Sequence, residues 1–80
     1  MSKTISKELQ NLMHNITVLR KNRGLTKKRM AEILDISVNT LSKIERGEFP
    51  HRLGAVTVFN IYDKFGIDAK KLFDTKMGEK

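Results

Sequence analysis

Apolar side chains recur along this chain at steps of three and four residues, and nowhere in the alternation of a strand, which confines it to helices. Leu9, Leu12, Met13, Ile16 and Leu19 form the first stripe, and Lys21 and Arg23 close it ahead of Gly24, so a first helix ends near Arg23. Thr26 is placed to cap a second, short helix whose apolar face is Met30, Ala31 and Leu34 and which stops around Asp35-Ile36. Ser37 then caps a third, with Leu41 and Ile44 three apart and Gly47 beyond its last turn. Val58, Ile61, Tyr62 and Phe65 make a fourth stripe up to Gly66, and Ile67, Leu72 and Phe73 predict a last short helix capped by Asp68. The run from Ala55 to Phe59 is β-prone, but no other segment offers it a partner strand, so it reads as helix. The expected fold is all-α: five helices in one compact domain, with the second and third joined by about three residues.

Eighty residues hold one hydrophobic core, so one domain over 1–80 is expected, its core spanning about 9–74 and its ends frayed. Pro50, between Gly47 and Gly54, marks a loop inside that domain rather than a linker. The chain has no cysteine, which removes disulfides, and His14 and His51 alone make a poor zinc set, so neither a metal nor a cofactor is expected. Apolar runs stop far short of the ~18 residues that span a bilayer, and the N-terminus lacks the apolar stretch of a secretion signal. A cytoplasmic protein with no membrane partner is the expectation. No phosphate-binding glycine motif, zinc-protease motif or cysteine nucleophile occurs, so no enzyme is expected. Asp63, Asp68 and Asp74 read as surface and capping acids, His14 as a helix-surface residue, and His51 as a loop residue within reach of a phosphate when protonated.

Sixteen Lys and Arg against nine Asp and Glu leave a net charge of +7, which points to an anionic partner such as nucleic acid. Residues 20–52 hold nine basic and four acidic side chains, while the flanking segments carry +1 each. Within that middle third, Lys27, Lys28 and Arg29 follow the cap Thr26 at the positive end of a helix, where each base costs about 0.3–1 kcal/mol. A phosphate docked on that helix end would offset the cost, because free backbone N–H groups and the lysines then address the same anion.

The stretch from Leu19 to Gly47 resembles the phage-repressor and Cro-like helix-turn-helix family, also called the Xre family. The likeness lies in the basic end of the first helix, Gly24-Leu25-Thr26 entering the second, the Met30-Ala31 pair, Ser37, Thr40-Leu41-Ser42, and the closing Glu45-Arg46-Gly47. The segment from Phe65 to Phe73 is similar to the family's tail, so the resemblance covers roughly residues 11–74. Two positions depart from the pattern. Asp35 stands where the turn usually has glycine, and Lys27-Lys28 stand where Gln-Glu is common, which exchanges a glutamine-mediated phosphate contact for an electrostatic one. The resemblance implies a lambda-repressor-like DNA-binding fold, a transcriptional regulator acting as a repressor, and an internal ion pair between Arg20 and Glu45.

A major groove about 12 Å wide admits one helix, and the second helix of such a pair offers its front to base edges. Val38, Asn39, Thr40, Ser42 and Lys43 are the expected base contacts: Asn39 pairs with adenine, Lys43 reaches guanine acceptors, and Val38 meets a thymine methyl. Arg20, Thr26, Lys27, Lys28, Ser37 and Arg46 are expected at phosphates. The expected partner is double-stranded DNA with a two-fold operator, bound by a homodimer, since one short helix makes few base contacts; Leu53, Val56 and the tail beyond the fifth helix are the candidate dimer contacts. The competing reading is an antitoxin, or another protein that binds a toxin or antagonist on the same fold.

Overall fold

Short polar side chains set the start of four of the five helices in the computed structural model, which describes residues 6–50 and 53–78. Helix α1 is Lys7–Asn22, α2 is Lys27–Leu34, α3 is Val38–Glu45, α4 is Ala55–Phe65 and α5 is Ala69–Asp74. Ser6, Thr26, Ser37 and Asp68 each accept a hydrogen bond from the backbone N–H three residues on, satisfying a donor that the first helical turn leaves open. Only α4 begins without such a bond, at Gly54. Among the described residues there is no strand, and no helix is long and apolar enough to cross a membrane.

The turn between α2 and α3 is Asp35-Ile36-Ser37. Asp35 is the only described non-glycine residue with positive φ, at φ 60° and ψ 46°, and its N–H reaches back to Ala31 and Glu32 carbonyls. A short polar side chain tolerates this left-handed position at modest cost, so the turn forms without the usual glycine.

The core is one cluster: Leu12, Met13, Ile16 and Leu19 of α1 meet Met30, Ala31 and Leu34 of α2, Leu41 and Ile44 of α3, Leu53, Ile61 and Leu72. Helix α1 packs against α3 and α5, and α2 bridges α3 and α4. The helix-turn-helix pair therefore rides on a frame made by α1, α4 and α5.

Three expectations need correction. Tyr62 does not belong to the α4 core stripe; it is 57% exposed, while Thr57 and Ile61 are buried and Val58 and Phe65 half-buried. Ile61 faces the core, and its neighbour Tyr62 lies about 100° further round the helix. Leu53 is not available to a partner chain, because it is 9% exposed and packed in the core, close to the buried Pro50. His14 is not a plain surface residue: it is half-buried, and its Nε2–H donates to the Met77 carbonyl at 2.8 Å, the only polarity a carbonyl allows.

That last contact belongs to a set the helical periodicity did not reveal. Asn15, fully buried on α1, donates through Nδ2 to the carbonyls of Leu72 and Thr75, both at 2.7 Å, and accepts from the Met77 N–H at 2.8 Å. Asn11 donates to the Phe73 carbonyl at 2.9 Å and Asn22 to that of Gly78 at 3.3 Å. The segment after α5, expected at a partner surface, is thus held along α1.

Candidate nucleic-acid interface

The first turn of α2 carries no acid and opens Lys27-Lys28-Arg29, all exposed. Arg29 is drawn toward Glu32 at 3.3 Å, whereas Lys28 has no ion-pair partner among the described residues. Lys27 Nζ donates to Ser42 Oγ at 3.4 Å, so the basic end of α2 lies directly against the middle of α3. The two helices thereby present one continuous polar surface, with a cluster of positive charge on a helix end that already attracts anions.

Along α3, Asn39 and Lys43 are exposed and Val38 is 43% exposed, while Thr40 and Ser42 are half-buried. Ser37 Oγ accepts from the Thr40 N–H at 3.0 Å and donates to Thr40 Oγ1 at 2.9 Å, so both hydroxyls first serve the helix cap. Thr26 likewise caps α2 through the Arg29 N–H at 3.0 Å. With Leu41 and Ile44 buried, the other face of α3 is left to solvent along Val38, Asn39, Lys43 and Arg46. Arg46 pairs with Glu48 at 3.2 Å on the surface, and this hydrogen bond, helped by the positive charges of Arg46 and Lys43, holds the Glu48 carboxyl below the usual carboxylate range.

Arg20 takes the internal role expected of it. Its Nε and Nη2 donate to the Glu45 carboxylate at 2.6 and 3.1 Å and its Nη1 donates to the Leu25 carbonyl at 3.0 Å, with the two side chains only 17% and 10% exposed. Three of the five guanidinium N–H donors are committed inside the protein, which leaves one on each terminal nitrogen. The pair ties the end of α1 to the end of α3 and fixes the angle at which α3 leaves the core. His51 lies outside the described residues.

A short all-helical frame that carries two capped helices across a three-residue turn, the second with its polar side open, defines the helix-turn-helix class. A family model described as a helix-turn-helix domain matches residues 14–77, and the chain belongs to that family. No curated protein and no solved structure matches it.

Proposed function

We propose that the chain is a sequence-specific, double-stranded DNA-binding transcriptional regulator of the Cro-like kind, acting in the cytoplasm as a repressor. The observation that supports this most is the meeting of the uncompensated basic turn of α2 with the open side of α3, joined by Lys27 and Ser42. In this reading α3 enters the major groove, the α2 N-terminus rests on a phosphate, and the two contacts share one rigid turn at Asp35. Arg20, Thr26, Lys27, Lys28, Ser37 and Arg46 position the duplex, Arg20 through the two N–H donors that Glu45 and the Leu25 carbonyl leave open and Arg46 by leaving Glu48 for a phosphate oxygen. Val38, Asn39, Thr40, Ser42 and Lys43 address the bases. The whole chain acts as one domain, and two copies bind a two-fold operator with their α3 helices about 34 Å apart.

Substitutions separate the two kinds of contact. Lys27→Ala will weaken binding to all duplexes by a similar factor, because a phosphate contact carries no sequence information. Asn39→Ala will cost about 1–3 kcal/mol on the preferred site and relax the preference at one base position. Binding selections with both variants read the difference, and an unchanged preference in Asn39→Ala would remove that residue from the base contacts.

A further inference from the structure

The solvent side of α4 is the largest apolar feature the DNA-binding reading leaves unused. Val56 and Phe59 are each 63% exposed and Tyr62 57%, at steps of three residues along one helix face, with Ala55 and Asp63 exposed beside them. Two aromatics and a valine on one helix face make a patch of the size that is the largest on an ordinary monomer, and such patches often serve a function.

We infer that this face is the surface through which a second copy of the chain pairs, antiparallel, with Phe59 on the two-fold axis. The inference rests on the dimeric DNA-binding reading above and names the surface that reading lacks. Relative to Phe59, the exposed positions lie at three residues before and after, Val56 and Tyr62, and at four before and after, Ala55 and Asp63. A two-fold axis through Phe59 therefore sets Val56 against Tyr62 of the second copy, a small side chain against a large one, and Ala55 against Asp63. The second match is electrostatic. Helix α4 starts at Gly54 with no side-chain cap, so the positive end of its dipole carries no side-chain acceptor of its own at the level where the carboxylate of the other copy arrives. Among the described residues of one copy that carboxylate pairs with Lys64 alone, at 3.8 Å. The five residues of the face include one acid and no base, on a chain of net charge +7, so two copies meet here with less repulsion than at the basic surface of α2 and α3.

The area sets the strength. Large side chains offer about 150–250 Å² each, so this face exposes about 350 Å² and pairing hides about 700 Å² in total. Stable interfaces bury roughly 1,200 Å² or more, so the copies pair transiently in solution and persistently only when adjacent half-sites hold them at high effective concentration.

Because the chain has no cysteine, single-cysteine variants test this pairing without DNA. Phe59→Cys, on the axis, is expected to form a disulfide-linked dimer under oxidised glutathione at least tenfold faster than Lys70→Cys, a more exposed control on α5. A mixture of Val56→Cys and Tyr62→Cys will form the mixed dimer in excess of the statistical half, read by mass. Equal rates at Phe59 and Lys70, or a purely statistical mixture, would overturn the inference. Neither readout contains DNA, so its failure is distinct from failure of the DNA-binding reading, which would show as wild-type protein that binds no duplex.

Discussion

Glu45→Ala will lower the stability of the fold by about 2–4 kcal/mol, roughly 10–25 °C in melting temperature for a domain of this size, while Glu48→Ala will leave it nearly unchanged. Both glutamates accept from an arginine, so the difference comes from burial. The Arg20–Glu45 side chains are 17% and 10% exposed and joined by two hydrogen bonds, whereas those of Arg46 and Glu48 are 55% and 57% exposed. Removing Glu45 leaves a nearly buried guanidinium with only the Leu25 carbonyl to satisfy it. The loss stays below the full cost of a completely buried pair because water can enter. Thermal unfolding of the two variants under one buffer decides the matter, and similar melting temperatures would show that the pair does not hold α3.

Asn15→Ala will be of similar severity. It leaves the carbonyls of Leu72 and Thr75 and the N–H of Met77 without their side-chain partner at a position with no exposure, and an unpaired buried group costs about 1–3 kcal/mol. Some of that is recovered as the segment after α5 lifts into water, so a net loss of about 2–4 kcal/mol is expected, with faster amide exchange at Met77 than at core amides of α1. Exchange at Met77 as slow as in the wild type would contradict this account of how the segment is held.

These two predictions fall on opposite sides of what the sequence made legible. Caps are local: a hydroxyl or carboxylate at Thr26, Ser37 or Asp68 serves an N–H three residues away, so the starts of α2, α3 and α5 could be read from neighbouring residues. The basic turn of α2 was legible for the same reason, as a violation of the helix dipole rule. Packing over long range was not. Asn15 lies on the apolar stripe between Leu12 and Leu19, and its polarity there was the available sign of a buried hydrogen-bonding role, yet its partners are 57 to 62 residues away. The rotation of α4 is not legible because Tyr62 is apolar enough to extend the stripe, and the burial of Leu53 is not because a loop residue gives no periodic sign of the core it enters. The Arg20–Glu45 pair is likewise long-range, its partners 25 residues apart, and follows from the family resemblance rather than from local spacing.

The site followed the same division. Residue types and charge pointed to Lys27, Lys28, Asn39 and Lys43, but the contact of Lys27 with Ser42, which joins the basic end of α2 to the middle of α3, exists only once the Asp35 turn has set the two helices.

The most direct measurement is the affinity of the wild-type chain for a selected duplex and for a random one of equal length, across a series of salt concentrations. If each subunit neutralises about six phosphates, log affinity falls against log salt with a slope of about −5 per subunit, close to a thousandfold between 50 and 200 mM, and the selected duplex binds at least about a thousandfold tighter throughout. A slope near zero, or equal affinity for the two duplexes, would contradict sequence-specific DNA binding.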